Sequence, residues 1–177
     1  MKDKQLITQL LDEKSRESGF RVLVEKYQQR IYWHVRKMVI DHDDADDLVQ
    51  DIFVKIYSNI GKFRADAQLY TWIYRIATNE CLTFLNKKKR RFLFLSSDNE
   101  ELVDKLTSSD FISGDEVEMK LQKAILTLPD KQRLIFNMKY YDEMKYEDIS
   151  SITDTSVGAL KASYHHAVKK IEQFVRL

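Results

Sequence analysis

Apolar side chains recur along much of this chain at three- and four-residue steps, the spacing that lines one face of an α-helix. Phe20, Leu23, Val24, Tyr27, Ile31, Val35 and Met38 form the first series and predict one amphipathic helix, or two in succession, with that stripe as core. In the next segment Leu48, Val49, Ile52, Phe53, Ile56 and Tyr57 fall within one half of a helical wheel, and Asp47, Gln50 and Asp51 fall on the other. The carboxylates are therefore expected to point outward together. After a loop around Gly61, the stretch from Leu69 to Asn86 turns Leu69, Trp72, Ile73, Ile76, Ala77 and Phe84 inward and places Thr71, Tyr74, Arg75 and Thr78 on the opposite face.

The period then lapses. Residues 92 to 119 carry eight acids and one lysine, with Ser, Thr and Gly scattered through, and read as a linker with room for a short helical turn. Beyond it the helical period returns and persists. Pro129 in LTLPDKQR suits the first turn of a helix, where its missing N–H is no loss and Asp130 meets the positive helix end. That helix is expected to reach about Tyr140, followed by a short helix in MKYEDISSI, a tight turn at TDTS and a long helix capped by Thr155 or Ser156. This is helix-turn-helix spacing. On the long helix Val157, Leu160, Tyr164, Ala167 and Ile171 form the buried stripe, leaving Ala159, Ala162, His165, His166 and Lys169 outward, with Lys161 on the flank.

The expected fold is all-α: two small helical domains, 1–91 and 117–177, joined by a flexible acidic linker at 92–116, with no repeat relating the halves. Composition agrees. The chain has 177 residues, four glycines and one proline, so turns and glycine-rich phosphate loops are scarce and helices can run long. Cys81 is the lone cysteine, which excludes an internal disulfide framework. The opening MKDKQLITQLLDEKSRES is too charged for a secretory signal, and no uncharged apolar stretch approaches the length of a membrane span. A cytoplasmic setting without membrane insertion is the expectation.

Net charge is only +1, so its distribution carries the information. Six aspartates and no Lys or Arg lie between Asp41 and Asp51, whereas Lys62 to Arg91 holds eight Lys or Arg against Asp66 and Glu80. The basic block ends in Lys87, Lys88, Lys89, Arg90 and Arg91 and interleaves cations with aromatics: Phe63, Arg64, Tyr70, Trp72, Tyr74 and Arg75. Flat rings stack on unpaired bases while cations follow phosphates, the pattern of a single-strand surface; the competing reading is core, which the wheel favours for Trp72 but not for Tyr74 and Arg75. On the last helix, small residues beside Lys161, His165, His166 and Lys169 suit close approach to a DNA major groove, or make a solvated helix face.

The aspartate cluster invites a metal reading. Counted from Asp41, the EF-hand positions for Gly and Glu hold Asp46 and Ile52, so that loop is excluded. A Mg²⁺ nuclease site has carboxylates but no base or histidine constellation, and an acidic protein-docking face fits better. No cofactor is expected. His34 and His42 read as structural, and Cys81 as an inert small side chain.

The segments DADDLVQDIFVKIY and FRADAQLYTWIYRIATNECLTFLNKKKRR resemble bacterial RNA polymerase sigma factors of the sigma-70 family, in particular the extracytoplasmic-function (ECF) group. The later segment LTLPDKQRLIFNMKYYDEMKYEDISSITDTSVGALKASYHHAVKKI is similar to that family's promoter-reading helix-turn-helix domain, so the likeness spans nearly everything but the linker. It implies that Asp47, Gln50 and Asp51 dock on the clamp coiled coil of core RNA polymerase. It implies that Phe63, Arg64, Tyr70, Tyr74, Arg75 and Asn79 capture and melt the minus-ten element, with Lys87, Lys88, Lys89, Arg90 and Arg91 holding nearby phosphates. Lys161, Ala162, His165, His166 and Lys169 would read the minus-thirty-five element, with Lys139 on a phosphate. Many members carry arginine where this chain has Ser163 and His166, so its major-groove contacts differ.

The same resemblance implies partners: core polymerase, promoter DNA both double-stranded and melted, and a separate anti-sigma factor, with the free protein a monomer. The acidic linker would thread near the RNA exit route as a mimic of nucleic acid. On this reading the protein is not an enzyme. Two rivals are a stand-alone helix-turn-helix regulator, which leaves the acidic face unexplained, and the Mg²⁺-dependent nuclease.

Overall fold

A computed structural model describes residues 3–64, 68–92 and 116–176, and every regular element among them is helical. In chain order these are α1 (Asp3–Leu11), α2 (Arg16–Val39), α3 (His42–Asn59), a 3₁₀ turn (Ile60–Lys62), α4 (Leu69–Phe92), α5 (Glu116–Leu126), α6 (Asp130–Tyr140), α7 (Tyr146–Thr153) and α8 (Val157–Arg176). The helical turn expected within the acidic linker falls on residues outside the described ones.

The helix ends follow from local chemistry. Asp41 caps α3 by accepting the Asp44 backbone N–H at 3.0 Å, and Asp43 and Asp44 stand in the first turn, where the helix dipole favours negative charge. Part of the aspartate cluster is thus a helix start. Ser156 caps α8 by accepting from the Ala159 N–H at 3.3 Å, and Asp154 in the left-handed region (φ 54°) supplies the turn after α7. Pro129 lies one position before α6 rather than inside it.

α2, α3 and α4 pack around Leu23, Tyr27, Ile31, Val35, Ile52, Ile56, Leu69, Ile73 and Ala77, all buried. α1, which the sequence reading did not anticipate, buries Leu6 and Leu10 across the start of α2. That crossing is tight. A Cβ on Gly19 would stand 3.0 Å from the Gln9 Cβ and 3.3 Å from the Gln9 and Leu10 backbone, so glycine is what permits the approach. Ser15 and Arg16 then donate to the Gln9 and Leu10 carbonyls, satisfying the end of α1.

In the second half, α5, α6 and α8 enclose Ala124, Ile125, Leu128, Phe136, Ala167 and Ile171. The opposite side of α6, together with α7, contributes Leu134, Ile135, Met138, Ile149 and Ile152 to the same apolar cluster as the N-terminal helices. The two domains therefore share a core across α2 and α4.

This sharing corrects the reading of α4. Thr71, Tyr74 and Thr78, expected to face outward, are buried, because α4 is flanked by α2 and α3 and by α7 as well. Thr78 Oγ1 lies 3.1 Å from Nε2 of His34, itself only 1% exposed, so His34 is structural as expected. On α3, Tyr57 was expected inside but is 44% exposed, packing edge-on against Phe20.

Candidate functional site

Three surfaces carry the predicted residues. On α3 the side chains of Asp47, Gln50 and Asp51 are exposed on one face, as the wheel requires. Val54, one turn further along that face, is 66% exposed and extends it with an apolar group. It is the aliphatic residue on the polar half of the wheel, and that mismatch was its signal in the sequence. His42 at the start of α3 is exposed, its Nδ1 2.8 Å from the Tyr32 hydroxyl and its Nε2 3.4 Å from Asp46.

The basic block splits. Arg64, Asn79, Lys87, Arg90 and Arg91 are exposed. Phe63 is buried, its ring 5.3 Å from that of Trp72. Tyr74 is 4% exposed, against the expectation of an outward contact, and its ring lies 4.5 Å from that of the half-buried Tyr70. Burial, reinforced by the charges of Asp142 and Asp148, pushes the Tyr70 phenol up to about 12, so it stays a neutral hydrogen-bonding group. Arg75 is exposed but donates from Nε to the Ser151 carbonyl at 3.1 Å. Lys88 pairs with Asp44 at 2.7 Å and Lys89 with Asp130 at 2.7 Å, so two cations of the terminal run are already engaged by carboxylates.

On α8, Lys161, Ala162, His165, His166 and Lys169 are all exposed, and the rings of His165 and His166 lie 6.0 Å apart. Leu160, Ala167 and Ile171 turn inward and fix that orientation. Lys139 stands apart from this set: its Nζ donates to the Met144 carbonyl at 3.0 Å and sits 4.9 Å from the centre of the Tyr146 ring. Cys81 is fully buried, and burial pushes its thiol up to about 12. Among the described residues no group of three or more His, Cys, Asp or Glu is placed to hold a metal ion, and no helix is long and apolar enough to cross a membrane.

An outward acidic helix face, a basic aromatic helix and an exposed helix-turn-helix reading face therefore occur in one chain, in that order. Residues 23–91 match the family described as Sigma-70 region 2, and residues 118–171 match Sigma-70, region 4. The ECF RNA polymerase sigma-E factor of Escherichia coli is 30% identical over 190 aligned positions, covering 97% of this chain and 96% of that protein. The chain belongs to the ECF sigma factors of the sigma-70 family. The ECF RNA polymerase sigma factor SigW of Bacillus subtilis is 29% identical, with 92% of each chain covered. The sigma factor RpoE of Bartonella quintana, solved in complex with the anti-sigma factor NepR, shares the fold at a TM-score of 0.69 and 19% identity, covering 89% of this chain and 97% of that one.

Region 2 holds the acidic face of α3 and the whole basic block, and region 4 holds α6, α7 and all but the end of α8. The stand-alone regulator is not favoured, since a lone helix-turn-helix protein has no use for region 2. As an RNA polymerase sigma factor, the chain serves transcription initiation.

Proposed function

We propose that this sigma factor docks on core polymerase through Asp47, Gln50, Asp51 and Val54, opens the minus-ten element with the basic face of α4, and reads the minus-thirty-five element with α8. The observation that carries the reading is the exposure of both terminal surfaces, the α3 carboxylates and the α8 reading face, on helices whose opposite sides are locked into cores. A rigid helix can present a docking or reading face without reorganising its side chains.

The physical work divides accordingly. Exposed carboxylates on α3 steer and orient a basic partner surface. Arg64, Lys87, Arg90 and Arg91 neutralise phosphates and release counterions, while Tyr70 and Tyr74 offer rings on which unstacked bases can lie. Opening duplex DNA costs a few kcal/mol per unstacked base, offset by stacking of about 1–3 kcal/mol per base on such rings. His165 and His166 can each donate or accept at base edges, and Ala162 permits close approach of the helix. Phosphodiester chemistry belongs to the polymerase, so the protein is not itself an enzyme and acts in the cytoplasm. An anti-sigma factor is the expected separate regulator, by analogy with the NepR complex.

Run-off transcription with core polymerase on fragmented DNA from the source organism tests this. New discrete transcripts with shared upstream sequence are expected when the protein is added. No transcripts, with no co-purification of core polymerase, refute it.

A further inference from the structure

The last turn of a helix leaves carbonyls that the helix cannot satisfy. At the end of α2 the C-terminal domain takes two of them. Arg133, buried on α6, donates to the Met38 carbonyl at 3.0 Å, and Asn137, one turn on, donates to the Lys37 carbonyl at 3.4 Å. The guanidinium also meets the negative end of the α2 dipole. Beside this cap, Lys37 Nζ donates to Asp142 Oδ1 at 2.7 Å, and His34 Nδ1 lies 3.5 Å from Asp142 Oδ2. Burial works against ionising the Asp142 carboxyl, but hydrogen bonding and charge from His34 and Lys37 outweigh it and hold the group below the ordinary carboxylate range. Ile135, Met138, Ile149 and Ile152 complete the contact by joining the N-terminal core.

What this contact covers is selective. Tyr74 is buried, Arg75 spends its guanidinium on the Ser151 carbonyl of α7, and Lys89 holds the Asp130 carboxylate of α6. A backbone carbonyl and a carboxylate thus occupy the positions phosphate oxygens would take. Asp47, Gln50 and Asp51 on α3, and the reading face of α8, stay exposed.

We propose that the C-terminal domain is an internal gate on the single-strand surface: with α6 and α7 seated on α2 and α4, the free chain presents its polymerase-docking face but cannot hold unpaired minus-ten bases until the domains part. This rests on the assignment of Tyr74, Arg75 and Lys89 to the DNA surface given above. Opening exchanges Asp130 and the Ser151 carbonyl for DNA phosphates, so the gate and the melted strand compete for the same cations. The latch residues Lys37, Asp142, Arg133 and Asn137 lie outside the DNA- and polymerase-binding sets and can be changed without touching either.

The test uses the full free chain. Lys37→Glu sets a carboxylate against Asp142, and Lys37→Glu combined with Asp142→Lys restores the pair with reversed charge. In small-angle scattering the wild type is expected near a radius of gyration of about 16 Å, the value for a compact chain of this length, with Lys37→Glu larger and the swapped pair returning toward wild type. Anisotropy with a labelled, mixed-sequence single-stranded DNA is expected to show Lys37→Glu binding about tenfold tighter, as when an open fraction of about a tenth rises to near unity. Core polymerase affinity should be unchanged. A wild type that is already extended, or a radius that Lys37→Glu leaves unaltered, overturns the gate. Expansion with no gain in single-strand binding leaves the closure standing and overturns the DNA assignment, and the gate with it. Circular dichroism distinguishes opening from unfolding, and Asp142→Asn, nearly isosteric, is read the same way should Lys37→Glu lose helix.

Discussion

Replacing Gly19 by alanine sets two physical effects against each other with opposite signs. Within a helix, Gly→Ala stabilises by about 1 kcal/mol through backbone entropy. Here the new methyl would sit 3.0 Å from the Gln9 Cβ and 3.3 Å from the Gln9 carbonyl carbon and the Leu10 nitrogen. The side-chain contact could yield by bending, but the other two are backbone, so α1 must shift as a body. Overpacking of this kind costs about 1–3 kcal/mol. The upper bound is complete undocking of α1, which would expose Leu6 and Leu10 at about 1.5–3 kcal/mol each. Net destabilisation of about 1 kcal/mol is expected for Gly19→Ala, with Gly19→Val approaching the bound. Urea unfolding followed by circular dichroism measures it, and amide exchange at Leu6 and Leu10 shows whether α1 is the element that loosens. An alanine variant more stable than wild type by the full propensity gain would refute the close crossing. Because α1 also packs on the 3₁₀ turn that leads to Phe63 and Arg64, the same variant should weaken promoter opening more than polymerase binding.

Other consequences follow from single sites. Replacing both Asp47 and Asp51 by lysine should lower affinity for core polymerase at least tenfold while leaving the melting temperature unchanged, since both are exposed; unaltered affinity in a pull-down would remove α3 from the docking surface. His166→Ala should weaken a promoter bearing its upstream element by about 1–3 kcal/mol and leave a template lacking that element unaffected, so an equal loss on both templates would exclude the base-reading role. Cys81 should resist a thiol reagent at pH 8 until the protein is denatured, because its thiol is buried and pushed up to about 12, and stoichiometric labelling of the native chain would contradict the packing. Asp142 has a depressed pKa when the domains are packed, so its contribution is complete above the exposed value of about 3.9 and is lost as pH falls through the packed-state value. The radius of gyration should therefore rise on acidification below about pH 4, and Asp142→Asn should weaken the contact at neutral pH and flatten that rise.

Helix content, the outward carboxylates of α3 and the α8 reading face were legible in the sequence. Each depends on which side of one helix faces a core, and a 3.6-residue period reports that directly. The cap at Ser156 and the turn at Asp154 were legible for the same local reason: side-chain and backbone chemistry within four residues decides them. α1 was missed because it carries only Leu6 and Leu10 as buried anchors in nine residues, and what makes it dock is an absence of side chain at Gly19. The fate of Thr71, Tyr74 and Thr78 could not be read either. A helical wheel assigns one buried face, whereas α4 is covered on a second face by helices far away in the chain. Whether a cation such as Lys89 meets solvent, DNA or Asp130 is likewise a matter of which distant carboxylate arrives beside it. Local pattern determined what each helix is and which side it buries; only the packing of region 4 on region 2 decided which of the DNA-binding groups stand open, because that depends on contacts between residues some 40 to 105 positions apart.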